Sequence, residues 1–350
     1  MKSLIRQMAL FTIPTLFIVL AGCQVTTTDP PAGPTETAAA QTGTPSDPTF
    51  SAPATPPAES KVSIGVILFI NDNFFKTVAL GMEEAAKESG AEIQFRFHED
   101  STELETQWIQ EFTRQNVDAI IISPRVANLN GSLPALQAAY EAGIKIICYN
   151  GCITGEARDQ YISGIFETDQ YALGYDVGSY LAQWLNNRGI TNPKLGIVRC
   201  CPQRSEGFRL ALADNQVVWE EKADFEEYMA EPAMTVVETI LQENPDINII
   251  WAENEGATIG AVTAVRALNP PQPVYVFGVD ISPEIAQMLL ADDDILQAVS
   301  AQSPRLMGRL AVEAAVNAVI NGTNAGYNIV PGAFFSRDDR DAVETYLQTQ

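Results

Sequence analysis

From Lys61 onward, short runs of apolar residues alternate with longer stretches of helical periodicity, and this alternation restricts the fold more than any other feature. The runs are rich in Val and Ile, and continuous hydrophobicity is typical of strands that are covered on both faces of a parallel sheet. Between the runs, apolar residues recur at spacings of three and four, as in amphipathic helices. Residues 61–350 are therefore predicted to form a doubly wound α/β fold, and their number favours two lobes over one sheet. The runs lie at residues 62–69, 118–122, 144–148, 195–198, 247–251 and 274–279.

The first 22 residues differ from the rest and predict a signal peptide. Lys2 and Arg6 precede an apolar stretch over residues 8–20, which is shorter than the roughly 20 residues of a membrane-spanning helix. The stretch ends in Leu20-Ala21-Gly22-Cys23, which resembles the lipobox of bacterial lipoproteins. That resemblance implies cleavage before Cys23 and acylation of its thiol, so that the lipid anchors the protein to a membrane. An ordinary secretory signal with a chance cysteine is the alternative.

Residues 23–60 are predicted to be the lipidated cysteine followed by a disordered tether. Thr, Pro, Ala, Ser and Gly dominate between Gln24 and Ser60, and this stretch contains no Lys or Arg. Such a composition buries too little apolar surface to offset the entropy lost on ordering. A polyproline-like chain of this length reaches on the order of 100 Å, which would separate a globular domain from its membrane.

The charge balance argues against two classes of partner. The chain has 44 acidic and 21 basic residues, for a formal net charge of -23 at pH 7. Without a basic cluster, it lacks the groups that neutralise nucleic-acid phosphates or anionic lipid headgroups. We therefore expect no nucleic-acid partner, and we expect contact with the membrane through the lipid alone.

Polar side chains follow the ends of the apolar runs, where an open parallel sheet binds its ligands. Carboxylates, amides and a guanidinium form paired hydrogen bonds with hydroxyls, and the neighbouring aromatic rings can stack on apolar C–H faces. Together these groups predict a site for a polyhydroxylated ring. Taken singly, Asn and Asp after a strand also serve as helix N-caps and turn formers. The strand-end residues are Asp72, Asn150, Arg204, Asn254, Asp280 and Gln302, with Phe74 and Phe75 beside the first.

Several of these segments resemble motifs of the type I periplasmic binding proteins, in particular the ribose-binding and galactose/glucose-binding group. The resemblance covers residues 61–350 and implies that each strand-end residue contacts a sugar, with Tyr228 as a second stacking aromatic. Gly151 departs from the ribose binders, which have a ligand arginine there, and no acidic loop resembles the calcium site of the galactose binders. Pentose, hexose and polyol ligands therefore all remain open. The matching segments are Asp72-Asn73-Phe74-Phe75, Asn150, Arg204-Ser205-Glu206-Gly207-Phe208, Asn254, Phe277-Gly278-Val279-Asp280 and Gln302.

The resemblance also implies an architecture and a role. Two lobes joined by a three-stranded hinge would close on the ligand. The chain order then implies an N-terminal lobe from residues 61–166 and 303–331, and a C-terminal lobe from residues 167–302 and 332–350. The expected partners are a sugar and the permease and ATPase of an ABC importer. The protein is expected to act as a monomer outside the cytoplasm, in the periplasm or on the cell surface.

The remaining cysteines and the single histidine complete the candidates. Cys148, Cys152, Cys200 and Cys201 are even in number, so local bridges Cys148–Cys152 and Cys200–Cys201 compete with free thiols. Their spacing is not that of a zinc site, and we expect neither a metal nor a cofactor. His98 is expected at the surface.

Three other functions compete with sugar import. The same lobes could serve a chemoreceptor or a histidine kinase as a sugar sensor. The carboxyls of Asp72, Glu255 and Asp280 could belong to a glycosidase, although a cleft with an arginine and amides needs no acid of raised pKa. A nucleoside or another small polar molecule could replace the sugar. The sequence favours a binding protein that is not an enzyme.

Overall fold

The structure, a computed structural model, describes residues 61–125 and 128–349. The predicted signal peptide (residues 1–22) and the lipidated cysteine with its tether (residues 23–60) lie outside the described residues. Within the described part, no helix is both long and apolar enough to span a bilayer. The strands are β1 (Ser63–Leu68), β2 (Glu92–Phe97), β3 (Ala119–Ile122), β4 (Lys145–Tyr149), β5 (Ile162–Glu167), β6 (Lys194–Arg199), β7 (Glu220–Glu226), β8 (Ile249–Ala252), β9 (Tyr275–Val279), β10 (Leu296–Ala301), β11 (Gly326–Ile329) and β12 (Ala333–Ser336).

Helices separate almost all of these strands, as expected for a doubly wound fold. The helices are α1 (Asn73–Ser89), α2 (Thr102–Arg114), α3 (Leu133–Glu141), α4 (Glu156–Tyr161), α5 (Gln170–Arg188), α6 (Pro202–Asp214), α7 (Ala230–Glu243), α8 (Glu255–Leu268), α9 (Pro283–Leu290), α10 (Pro304–Asn321) and α11 (Arg340–Gln348).

The strands form two sheets of six. The first sheet has the order β11-β5-β4-β3-β1-β2, and every neighbouring pair in it is parallel. The second has the order β12-β10-β9-β8-β6-β7, and its pairs are parallel except for the antiparallel pair β10–β12. We call the two sheets with their helices the first and second lobes. The predicted fold class, two doubly wound α/β lobes, is confirmed.

The chain passes between the two lobes three times. The first passage joins β5 to α5, the second joins β10 to α10, and the third joins β11 to β12. Lobes joined by a few short connections can bend relative to each other about a hinge region.

Helices cover both faces of each sheet and bury its apolar side chains. In the first lobe, α1 and α10 pack on one face, and α2 and α3 pack on the other. In the second lobe, α5 and α6 cover one face, and α7, α8 and α9 cover the other. The central strands are buried on both sides, which explains why their sequences are continuously apolar.

Glycines allow two helix pairs to approach more closely than side chains would permit. A Cβ atom at Gly174 of α5 would lie 1.9 Å from the carbonyl oxygen of Arg204 on α6. A Cβ atom at Gly308 of α10 would lie 2.1 Å from the carbonyl oxygen of Val78 on α1. Each of the two helices that follow a hinge passage, α5 and α10, therefore packs backbone against backbone on a neighbour in its own lobe.

Candidate functional site

A cavity of about 240 Å³ lies between the two lobes, at the carboxyl ends of their strands. Pockets for drug-sized ligands occupy roughly 300–1,000 Å³, so this volume suits a ligand of monosaccharide size. In each sheet the strand order reverses beside the first strand of the lobe, which is β1 in one lobe and β6 in the other. Ligands of open parallel sheets bind at this topological switch point. The lining residues are Phe69, Ile70, Asp72, Phe74, Phe75, Asp100, Asn150, Arg199, Cys200, Cys201, Pro202, Arg204, Glu226, Tyr228, Asn254, Glu255, Asp280 and Gln302.

The structure brings all nine sequence-predicted ligand residues to this cavity. They are Asp72, Phe74, Phe75, Asn150, Arg204, Tyr228, Asn254, Asp280 and Gln302. The prediction that they bind a ligand stays a prediction, because lining a cavity is not contact with a ligand.

Other lining residues were missed, and two of them lie at the ends of strands that the sequence did not reveal. Asp100 comes after β2, and Glu226 ends β7. Both strands are sheet edges with mixed polar sequences, so they lack a continuous apolar run. Phe69 could have been found, since it ends the first apolar run.

Aromatic rings form one wall of the cavity. The rings of Phe74 and Phe75 meet edge to face with centroids 5.1 Å apart, and Phe69 lies 5.7 Å from Phe75. Phe74 and Phe75 lie in the first turn of α1, the helix that follows β1 after a short loop. Tyr228 of the second lobe lies 6.0 Å from Phe69, so the wall continues across the cleft. Such a wall suits the apolar C–H faces of a sugar ring.

Arg204 lies on the opposite side of the cavity and is almost fully buried. Its Nε donates to Gln170 at 2.8 Å, one Nη donates to the carbonyl oxygen of Glu253, and the same Nη lies 3.9 Å from Asp280. The Asp280 carboxylate accepts from the Gln302 amide and from the backbone N–H of Glu255, each at 3.1 Å. The guanidinium therefore sits at a fixed position beside a fixed carboxylate.

Glu253 holds the turn that presents Arg204. It is fully buried, and its Oε2 accepts the backbone N–H groups of Cys200 and Cys201 at 3.0 Å each. Its Oε1 accepts from the Ser205 hydroxyl and from the Trp251 indole. Burial raises the pKa of Glu253, and these donors oppose the rise by favouring the charged form.

Three carboxyl groups converge on the cavity from both lobes. Burial, together with the charge of Asp280, raises the pKa of Asp72 to about 6 and that of Glu255 to about 7. Two like charges in a poorly solvated site favour protonation of one of them. Glu255 also accepts a hydrogen bond from Asn73 across the cleft, at 2.9 Å.

Asn254 already uses both ends of its side-chain amide within the protein. Its Oδ1 accepts from the backbone N–H of Ala257 as the N-cap of α8, and its Nδ2 donates to the backbone carbonyl of Tyr228 at 2.8 Å. Asp72 is likewise an N-cap, since its Oδ1 accepts from the backbone N–H of Phe75. Capping and cavity lining thus coincide in both residues.

Left-handed backbone marks three of the polar lining residues. Asp100, Asn150 and Asp280 have φ angles of 54° to 74°, a region that residues other than glycine seldom occupy. Such conformations persist where the surroundings determine them, and they concentrate at functional sites.

The two cysteine pairs differ in the described structure. A disulfide joins Cys148 to Cys152 after β4, as one of the two expected bridges. Cys200 and Cys201 are thiols whose sulfur atoms lie 2.7 Å apart in a hydrogen bond, so the second expected bridge is absent from the described structure. Cys200 and Cys201 are adjacent in the chain, and the Glu253 carboxylate accepts hydrogen bonds from both of their backbone N–H groups in the turn before α6.

The expectation for His98 is wrong. The histidine is fully buried behind the cavity wall, where its ring meets Phe69 edge to face at 5.1 Å. Desolvation lowers its pKa, so the ring is neutral and Nε2 donates to the carbonyl oxygen of Ser123 at 3.1 Å. Its burial was not predictable from the sequence, because His98 follows the edge strand β2, which has no continuous apolar run.

A family model described as "Periplasmic binding protein domain" matches residues 64–323. The chain belongs to the periplasmic binding protein family. Its arrangement of two parallel-sheet lobes is that of the type I periplasmic binding proteins, and the resemblance to the ribose and galactose group is confirmed.

Relatives of this periplasmic binding protein span almost its whole described part. The ABC transporter periplasmic-binding protein YphF of Escherichia coli is 33% identical over 280 residues, which are 78% of this chain and 84% of the relative. The ribose import binding protein RbsB of Bacillus subtilis is 25% identical over 273 residues, covering 77% and 85% of the two chains. The crystal structure of an ABC transporter periplasmic solute binding protein from Actinobacillus succinogenes with bound D-allose is 25% identical and superposes with a TM-score of 0.71. That match covers 81% of this chain and all of the other.

Proposed function

We propose that this protein is an extracytoplasmic solute-binding lipoprotein that binds a monosaccharide or polyol between its lobes and delivers it to an ABC importer. The single observation that carries the proposal is the interlobe cavity, which combines an aromatic wall with a buried arginine–carboxylate pair. A sugar ring presents apolar faces and a rim of hydroxyls, and this lining offers partners for both. The relatives named for ribose and crystallised with D-allose support the same class of ligand.

The proposed role is binding without catalysis. Both carboxyl oxygens of Asp280 accept hydrogen bonds from the protein, which fixes that group beside Arg204. This arrangement supports selection of a hydroxyl pattern, since a ligand lacking the matching hydroxyl would leave buried polar groups unpaired. The lobes would then close about the hinge, and the permease would recognise the surface of the closed, ligand-bound monomer.

A thermal-shift screen tests this function. We expect at least one sugar among D-ribose, D-allose, L-arabinose, D-galactose and myo-inositol to raise the melting temperature of the chain from Gln24 onward. Ligand at 100 times its Kd stabilises a protein by about 2.7 kcal/mol, which amounts to roughly 5 °C for a chain of this size. Amino acids of similar size are the control panel. Stabilisation by an amino acid and by none of the sugars would contradict the proposal.

The lipid anchor has its own test. The Cys23→Ser variant is expected to leave the membrane fraction, because serine cannot form the thioether to diacylglycerol, while the globular part folds as before. Fractionation of cells followed by immunoblotting measures the distribution, and circular dichroism checks the fold. A variant that stays with the membrane in high salt would contradict the lipoprotein assignment. The matched control is Cys200→Ser, which removes a thiol from the globular part.

A further inference from the structure

The turn between β2 and α2 has an unusual backbone. Glu99 and Asp100 are consecutive, neither is glycine, and both are left-handed, with φ angles of 49° and 55°. Each such residue is unfavourable by about 1–3 kcal/mol, so a pair persists only where other contacts hold it. The turn belongs to the first lobe, and Asp100 lines the interlobe cavity.

A buried polar network holds this turn. Glu105 is fully buried, its Oε2 accepts the backbone N–H of Arg125 at 2.6 Å, and its Oε1 accepts from the Ser132 hydroxyl. Arg125 in turn donates from Nε to the carbonyl oxygen of Asp100 at 2.7 Å and lies 2.8 Å from the Asp100 carboxylate. The buried His98 packs beside this network, with Nε2 at 3.6 Å from Glu105. The position of the Asp100 carboxylate is therefore set from within its own lobe.

Tyr228 meets this carboxylate from the other lobe. Its hydroxyl donates to Asp100 Oδ2 at 3.2 Å across the cleft. The Tyr228 backbone is fixed on its own side, because its N–H donates to Glu227 and its carbonyl accepts from Asn254, each at 2.8 Å. Both ends of the cross-cleft bond are thus positioned before the lobes meet.

We propose that Asp100 and Tyr228 form a clasp that fastens the closed cleft and sets the rate at which a bound ligand leaves. The proposal rests on the proposed function. A hydrogen bond between the lobes exists when they are closed and is lost when they open. Such a bond slows dissociation and leaves association nearly unchanged. Asp100, Arg125 and Asn254 are then positioning residues that act through Tyr228.

The test compares two matched removals of a tyrosine hydroxyl. Tyr228→Phe keeps the ring at the cavity and removes the clasp, whereas Tyr175→Phe removes a hydroxyl that donates to Asp214 at 3.1 Å within the second lobe. Stopped-flow fluorescence measures association and dissociation for each sugar that raises the melting temperature. We expect Tyr228→Phe to raise the dissociation rate constant about tenfold, by the same factor for every sugar. The association rate constant should change less than twofold. Tyr175→Phe is expected to match the unchanged protein.

A double variant separates a clasp from a general structural effect. Adding Asp100→Asn to Tyr228→Phe is expected to speed dissociation no further, because the hydroxyl that donates to Asp100 is already absent. Unchanged dissociation in Tyr228→Phe, or a matching loss in association, would overturn the clasp and leave sugar binding intact.

If no sugar binds the unchanged protein, the proposed function fails, and the clasp is judged without ligand. Small-angle X-ray scattering should then show a larger radius of gyration for Tyr228→Phe than for Tyr175→Phe and the unchanged protein. Equal radii for all three would overturn the clasp.

Discussion

Replacing Arg204 with alanine is expected to weaken sugar binding by at least about 2 kcal/mol, a factor of roughly 30 in Kd. The guanidinium is 3% exposed and lies between the carbonyl oxygen of Glu253 and the carboxylate of Asp280. Its removal would take away the charged hydrogen bonds that we propose it makes to the ligand, and it would leave Asp280 buried beside an empty space. Isothermal titration calorimetry with a sugar from the screen measures the loss.

Arg209 provides the control on the same helix. Its guanidinium is partly exposed and pairs with Glu221 at 3.0 Å and with Asp224 at 3.1 Å, outside the cavity. Surface pairs contribute about 0–1 kcal/mol to stability, so Arg209→Ala should leave the Kd within twofold. Equal affinity in Arg204→Ala, Asp280→Ala and the unchanged protein would show that the site assignment is wrong, whatever the ligand.

Replacing Glu255 with glutamine is expected to stabilise the ligand-free protein at pH 8 by about 3 kcal/mol. Burial, with a further effect from the charges of Asp280 and Asp72, raises the pKa of Glu255 from 4.5 to about 7 in the folded protein. One pKa unit corresponds to 1.36 kcal/mol, so a rise from 4.5 to about 7 makes ionisation of this group in the folded state unfavourable by about 3 kcal/mol. Glutamine keeps the oxygen that accepts from Asn73 and removes the charge.

The pH dependence follows from the direction of this shift. Below pH 4.5 the carboxyl is protonated in the folded and the unfolded chain, so the charge penalty is absent. Between pH 4.5 and about 7 the folded state binds more protons, and stability falls as pH rises. Above pH 7 the penalty is complete, and the difference between variant and unchanged protein should be constant. Urea unfolding at a series of pH values measures it.

Glu231→Gln is the matched control for this experiment. Glu231 also stands in the first turn of a helix in the second lobe, but it is exposed. Both substitutions remove a charge that favours the helix N-terminus, an effect of about 0.3–1 kcal/mol. The control should therefore show a small loss of stability at pH 8. A fall in stability between pH 4.5 and 7 that is the same in Glu255→Gln and in the unchanged protein would contradict the assignment to Glu255.

The fold was predictable at most strands that are buried on both faces. The exceptions are β5 (ISGIFE) and β10 (LQAVSA), where Ser, Glu or Gln interrupt the apolar sequence. The six apolar runs correspond to β1, β3, β4, β6, β8 and β9, because central strands need side chains that suit a core on either side. The edge strands β2 and β7 face solvent and carry Glu, Gln, Arg and Lys, so their sequences resemble those of loops. Edge strands are in general the part of such a sheet that apolar runs fail to show.

The same limit explains which parts of the candidate site the sequence missed. Residues after central strands, such as Asp72 and Asp280, could be placed by the rule that ligands bind at carboxyl strand ends. Asp100 follows an edge strand, and its partner Tyr228 lies in a loop after the other one. The contact between Asp100 and Tyr228 depends on how the two lobes meet, and no local sequence pattern predicts that. The buried His98 was misplaced for the same reason, since an isolated histidine in polar sequence is typical of a surface.

The close glycine contacts between helices have a mechanical consequence. The helix α5 begins where the chain leaves the hinge and touches the backbone of Arg204 through Gly174, while α10 begins at the second passage and touches α1 through Gly308. In both lobes, a helix that carries predicted ligand residues (α6 or α1) is thus in direct backbone contact with the helix that begins after a hinge passage (α5 or α10). No flexible side chains lie at these two contacts to absorb a displacement. We therefore expect a displacement of Arg204 or of the phenylalanines of α1 to move α5 or α10 with it, and so to act on the connections between the lobes.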